Sequence, residues 1–282
     1  MNKHLEERIM QGLMIGALVL VAVSLLLILA TVIVKGMPAL NLAMLTQVPK
    51  GGYYLGKEGG ILNAIAGSLV LASGATVLSL VLGLGVALYL QLFVHKGSWF
   101  ANLIRLSLDV LWGIPSIVYG AFGFTLLLFF KMRASLLGGI IALALLELPI
   151  VARGMEEVLD MVPFGLKQAS YALGATRLET ALRVLVRQAA PGLVTVLLLA
   201  FGRGIGDAAS VLFTAGYTDR MPGSLLRPVA SLPLAVFFQL GTPLPEVQQR
   251  AYAAALVLVA LVLIISLLAR LSAYFMGKFV VR

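Results

Sequence analysis

Arg203 and Asp207 stand four residues apart in FGRGIGDAASVLFTAG, residues 201–216, at the end of an apolar run long enough to cross a bilayer. Each charge placed in hydrocarbon costs about 2.5–3.5 kcal/mol on an insertion scale, so something must offset it. Four residues apart on a helix, the two share one face and can reach each other, and a self-neutralising pair is the plain structural reading. The functional reading is an anion site, because a planar guanidinium matches two oxygens of a tetrahedral oxyanion. Asp207 would then hold Arg203 when no substrate is present. It would also accept a hydrogen bond from a protonated oxyanion such as HPO₄²⁻ and repel a fully deprotonated sulfate. Gly202, Gly204 and Gly206 alternate through the same segment. Gly202 and Gly206 form G-x-x-x-G, which favours close helix packing. Glycine also weakens a helix by up to about 1 kcal/mol relative to alanine, so the segment can bend as a gate.

These residues need a membrane scaffold, and the composition supplies one. Of 282 residues, 61% are hydrophobic and only 12% charged, with a mean hydropathy of +1.04. No soluble domain of this size stays in solution with that balance, so an all-α, polytopic membrane helical bundle is expected. Runs of about 20 apolar residues place six transmembrane helices at residues 10–34, 61–94, 110–130, 135–151, 191–214 and 251–274. The first is too long for a secretory signal and lacks a small-residue cleavage site, so it reads as a retained span. There are no cysteines and two histidines, which removes disulfides and thiolate metal sites and makes a histidine metal site implausible.

The net charge of +9 reads as membrane topology rather than nucleic-acid binding. Six spans put both termini on one side, with twelve Lys and Arg there against eight opposite and Arg203 in between. Both termini are therefore expected in the cytoplasm. The external link carries GGYYLGKE at 51–58, which matches a phosphate-cradling loop up to its last position. There Glu58 replaces the Mg²⁺-binding hydroxyl, no strand precedes it and it lies opposite the side that holds ATP, so it reads as a glycine-rich turn.

The cytoplasmic link PFGLKQASYALGATRLETALRVLVRQAAPG, residues 163–192, predicts a helix from Pro163 to Leu173 ended by Gly174 in a left-handed cap. Thr176 and Glu179 then form a capping box that starts a second helix. A simple connection needs only a few residues. The basic helix–turn–helix is therefore either a knob to be gripped or an amphipathic element lying on headgroups. Asp109 sits at the membrane surface, four residues after Arg105 and able to pair with it. Glu147, in ALALLELPIVAR ahead of Pro149 and Arg153, is either a helix–helix hydrogen-bonding group or a pathway residue; Arg153 shares that ambiguity. WGIPSIVYGAFG, residues 112–123, reads as a kinked or closely packed region.

KQASYALGATRLETALRVLVRQAAPG resembles the cytoplasmic coupling motif of ABC importer permeases. Gln168, Ala169 and Ser170 take the places of the usual Glu-Ala-Ala, Gly174 that of the glycine and Val184 that of a later aliphatic residue, while Arg187 stands where proline is usual. More specifically, GGILNAIAGSLVLASG, GIPSIVYGAFG, LPIVARGMEEVLDMVP, ASYALGAT, GRGIGDAASVLFTAG and SLPLAVFFQLGTP are similar, in order, to phosphate permeases of this class, above all the A-type subunit. The family's R-x-x-G-E falls on Arg203 and Asp207, with Asp for Glu.

The resemblance implies an ABC type I importer permease fold. Residues 1–59 would form an N-terminal helix and external loop, and 60–282 a permease core with its coupling loop at about 155–190. It implies a substrate pathway at Arg203, Asp207, Gly202, Gly204 and Gly206, and ATPase coupling through Gln168, Ala169, Ser170, Gly174, Ala175 and Thr176. The implied partners are a second homologous permease, two cytoplasmic ATPase subunits that hold the ATP and Mg²⁺, and an external phosphate-binding protein; the chain binds no cofactor itself. The place is the bacterial cytoplasmic (inner) membrane. A permease for sulfate or molybdate, and a membrane scaffold in phosphate sensing, remain alternatives. The spans hold no nucleophile–base pair, which argues against an enzyme.

Overall fold

The computed structural model describes residues 3–50, 58–95 and 97–276. Residues 51–57 of the phosphate-loop look-alike, and Lys57, Lys96, Lys278 and Arg282 of the charge count, lie outside the described residues.

Among the described residues the regular structure is helical apart from a two-residue antiparallel pairing of Pro49–Lys50 with Glu58–Gly59 in the first link. Helix α1 (Lys3–Gly36) is followed by the short α2 (Leu42–Thr46), then α3 (Leu62–Leu92), α4 (Trp99–Gly113), α5 (Ser116–Phe129) and α6 (Leu136–Asp160). Next come α7 (Phe164–Ala172), α8 (Arg177–Glu179), a π-helical stretch Thr180–Leu185, α9 (Val186–Gly206), α10 (Leu232–Leu240) and α11 (Pro245–Met276). Among the described residues five helical segments are long and apolar enough to cross a membrane, and the count reaches six when α4 and α5 are taken as one broken span.

The break between α4 and α5 is the kink expected early in the third span. Pro115 forces the residue before it out of the helical region, Ile114 is extended, and the two axes diverge by 99°. The Tyr119 hydroxyl donates to the Leu111 carbonyl at 2.8 Å across the corner, so the bend is held rather than loose. Several boundaries move from their expected places: α4 begins at Trp99, α6 runs on to Asp160 instead of ending at 151, and the fifth span starts at Arg177 instead of 191 and stops at Gly206 instead of reaching 214.

The centre is the pairing of α3 with α6, where small residues let the backbones approach. A Cβ on Gly83 would lie 2.9 Å from Val151 Cγ1 and 3.1 Å from the Ala152 nitrogen. Leu71, Ala75, Leu143 and Leu146 fill one core, and Ala87, Val151, Met155 and Leu159 a second toward the other end of the same pair. α9 packs on this pair, α11 covers α9, and α1 leans on α11.

After α9 the chain runs from 207 to 231 without a regular helix. Such backbone survives at membrane depth only where its polar groups find partners in protein or a polar cavity. Here the start of α6 supplies them: the N–H groups of Ser135, Leu136 and Leu137 donate to the carbonyls of Thr214, Arg227 and Leu225 at 2.9, 2.8 and 2.8 Å. A helix N-terminus has four such donors to place, and α3 adds the Ser68 hydroxyl, which accepts from the Leu232 nitrogen at 2.7 Å.

Candidate functional site

Gly204 of α9 lies against Glu147 of α6, which is eleven residues along from Leu136, or about 16 Å from that end of the helix. α9 therefore stops level with the middle of α6, a helix long and apolar enough to cross a membrane, and Arg203, one residue before Gly204, sits at that level as well. The helix ends there because Gly202, Gly204 and Gly206 each weaken it and because Asp207 is extended, at φ −80° and ψ 124°.

That early stop removes the expected Arg203–Asp207 pair. Spacing of four brings side chains together only on a continuous helix. The Asp207 Oδ2 instead accepts from the Ser210 nitrogen at 2.8 Å and, in a short contact, from the Ser210 hydroxyl. Among the described residues Arg203 has no hydrogen bond or ion pair, and its side chain is exposed on the surface of the single chain. Its position in the last turn of α9 is favourable, since the helix end carries partial negative charge. The expected G-x-x-x-G packing also fails within this chain. A Cβ on Gly202 would meet only Ile265 Cγ2, at 3.6 Å, and one on Gly206 would meet nothing within 4 Å. Close approach belongs to Gly204, where a Cβ would lie 2.0 Å from Glu147 Oε1.

Glu147 is fully buried. Its Oε2 accepts from the Thr76 and Ser79 hydroxyls of α3 at 3.0 and 3.1 Å. The helix–helix hydrogen-bonding reading of Glu147 thus holds. Nothing in its sequence neighbourhood pointed to Thr76 and Ser79, because their alignment depends on the α3–α6 register.

Arg153 lies closer to the far end of α6 than Glu147 and belongs to an ionic chain. Arg105 of α4 binds Glu156 at 2.8 Å, and Arg153 binds Glu156 at 2.9 Å and Asp109 of α4 at 3.0 Å. Arg105 therefore pairs across to α6 rather than with Asp109 on its own helix. The 99° corner turns α4 across α6 and puts both of its ionic side chains against that helix. Glu156 was not anticipated; its spacing of three from Arg153 was the available signal.

The 163–192 segment builds a compact knob. α7 ends in a Schellman turn: the Ala175 nitrogen donates to the Ser170 carbonyl at 3.2 Å and the Gly174 nitrogen to the Tyr171 carbonyl at 3.0 Å. Gly174 has φ +81°, a conformation that favours glycine. Thr176 and Glu179 make the anticipated capping box, and the buried Ser170 and Thr180 hydroxyls lie 2.8 Å apart. The second helix is not a separate element but the start of the arm Arg177–Gly206, thirty residues and about 45 Å long, whose other end carries Arg203.

Two ties fix the knob to the end of α3. Lys167 donates to the Gln91 Oε1 at 3.1 Å while Gln91 donates to Asp160 at 2.8 Å, and Arg177 donates to the Leu92 carbonyl at 3.4 Å with its guanidinium 5.7 Å over the Phe93 ring. A cavity of about 720 Å³ lies between these ends. Gln168, Ala169 and Gly174 are exposed beside Phe164 and Leu173, and Leu173 is 87% exposed. A basic element crowned by uncovered apolar side chains suits a groove in a partner and a layer of lipid headgroups alike. Among the described residues no group of three or more His, Cys, Asp or Glu is arranged to hold a metal ion.

The family model of the binding-protein-dependent transport system inner membrane component matches residues 79–279. The chain is 37% identical to the phosphate transport system permease protein PstA of Yersinia pestis, over 86% of this chain and 81% of that one. It is 31% identical to the protein of the same name from Haemophilus influenzae, over 94% and 93% of the two chains. Among solved structures it is similar to a chain of the MetNI methionine ABC transporter in inward-facing conformations. That match has a TM-score of 0.58, 21% identity, and covers 75% of this chain and 94% of the other.

Proposed function

The chain belongs to the family of binding-protein-dependent transport system inner membrane components, and from that premise we propose that it is the permease subunit of an ATP-driven importer of inorganic phosphate. The phosphate transport permeases to which it is similar support that substrate. The observation that carries the reading is the arm Arg177–Gly206, a continuous helical run that is π-helical over Thr180–Leu185, with a knob at one end and, at the other, an uncovered guanidinium level with the middle of the membrane-spanning helix α6. An exposed arginine at that level is tolerated only where something polar covers it. We infer that this face of α9 meets a second, related permease, and that phosphate passes along the seam between them.

The chain is a transport component rather than an enzyme, so energy comes from partners. Two cytoplasmic ATPase subunits holding ATP and Mg²⁺ would receive the knobs of the two permeases, and an external phosphate-binding protein would load the pathway. Both termini lie in the cytoplasm on this reading, the side of the knob. ATP binding draws the ATPases together and moves the knob. Because the knob, bolted through Ser170 and Thr180, is the start of the arm, its rotation reorients the far end and re-aims Arg203. Phosphate admitted from outside then meets the guanidinium, and hydrolysis returns the arm and releases the anion inward. Asp207, with one oxygen held by Ser210 and the other without a hydrogen bond among the described residues, is placed to accept a proton-borne hydrogen bond from HPO₄²⁻.

Competition in vesicles containing the assembled transporter tests the substrate. Excess unlabelled phosphate should suppress labelled phosphate uptake while sulfate and molybdate leave it unchanged. Uptake of either of those anions in place of phosphate would reassign the permease.

A further inference from the structure

Two unfavourable choices meet at one point in the centre of the bundle. A carboxyl with no exposed surface is placed where an apolar side chain would be less costly, and a glycine is placed inside the last turns of a helix. The Thr76 and Ser79 hydroxyls fix one oxygen of Glu147 to α3, and the other oxygen has no hydrogen-bond partner among the described residues. That second oxygen fills the space a side chain at Gly204 would need. Only the glycine face of α9 can sit there, and seating it turns the neighbouring Arg203 to the exposed face.

We propose that Glu147 is a positioning residue of the transport pathway: anchored by Thr76 and Ser79, its carboxyl sets the depth and rotation at which α9 ends and so aims Arg203. This rests on the reading of Arg203 as the pathway cation. Glu147 itself does not touch substrate. Its partnerless oxygen marks the place where α9 slides when the knob moves, because any rotation of the last turn changes what that oxygen meets.

The test uses the complete transporter, with its partner subunits, in lipid vesicles, and reads phosphate imported per ATP hydrolysed. A fault in aiming lowers that ratio, whereas general instability lowers both rates together. Gly204→Ala should lower the ratio by about tenfold or more, since misplacing a positioned group by about 1 Å costs up to about 100-fold. Gly85→Ala, in a spanning helix with nothing within 4 Å of the added carbon, should change it by less than about twofold. Glu147→Gln, which keeps an oxygen for the two hydroxyls, should retain at least about half the ratio, and Glu147→Met, similar in length with no such acceptor, should lower it by about fivefold or more. If Gly204→Ala prevents assembly, the Gln and Met variants decide. An unchanged ratio in Glu147→Met, or hydrolysis and uptake falling in proportion in every variant, overturns the proposal. Arg203→Ala run in parallel separates the two ideas: uptake surviving that change removes the pathway cation, whatever Glu147 does.

Discussion

The hydroxyls of Ser170 and Thr180 meet at 2.8 Å in a buried contact that joins the two arms of the helix–turn–helix knob across the Gly174 turn. Thr180→Val keeps the shape and leaves Ser170 without its partner, a loss of about 1–3 kcal/mol. The variant transporter should unfold at lower temperature and import less phosphate per ATP. Ser170→Ala combined with Thr180→Val should be closer to wild type than Thr180→Val alone, because no buried hydroxyl is then stranded. Thermal unfolding of both variants beside the wild type checks this.

The turn itself is the second target. Gly174→Ala forces a side chain into φ +81° at a cost of about 1–2 kcal/mol, and Thr176→Ala removes the cap of the long arm at about 1 kcal/mol. Both should weaken binding of the ATPase partner, as measured with purified subunits. Gly165→Ala, on α7 with nothing within 4 Å of the added carbon, should bind as wild type does.

The ionic chain between α4 and α6 should behave as a unit. Arg105→Ala removes one of two cations from Glu156, whose side chain is 7% exposed and keeps Arg153, so the loss is that of a hydrogen bond to a charged group, about 1.5–3 kcal/mol. Arg105→Ala with Glu156→Gln should cost less than the sum of the two single changes. A double-mutant cycle in denaturant reads the coupling directly.

Much of this was legible in the sequence because it rests on local chemistry. Gly174, Thr176 and Glu179 announce a turn and a cap through conformational and hydrogen-bonding preferences that need no tertiary partner, and the structure has both. Pro115 likewise announced the kink. What failed was the extrapolation of a helix beyond its end. Residues 207–214 are apolar enough to continue a span, but three alternate glycines and the donors at the start of α6 favour an unwound backbone. Hence Asp207 turns to Ser210 and not to Arg203. Pairings set by register between distant helices, such as Arg105 with Glu156 or Glu147 with Thr76 and Ser79, have no local signature.

Asp207→Asn keeps an oxygen for Ser210 while putting an amide where a negative charge stood. Discrimination of phosphate over sulfate should fall by about tenfold, the order of one charge-assisted hydrogen bond of about 1.5 kcal/mol. Paired uptake assays with the two anions give the ratio, and an unchanged ratio would confine Asp207 to holding its own turn.

Arg203 bears the central claim, that a guanidinium at the end of the knob's own helix receives the anion. The direct measurement is ATP-dependent phosphate uptake into vesicles by the complete transporter carrying Arg203→Ala, with Arg203→Lys alongside. Uptake should fall by about 100-fold in the alanine variant, with partial recovery in lysine and with the partner subunits still assembled. Undiminished uptake by the alanine variant would contradict the account.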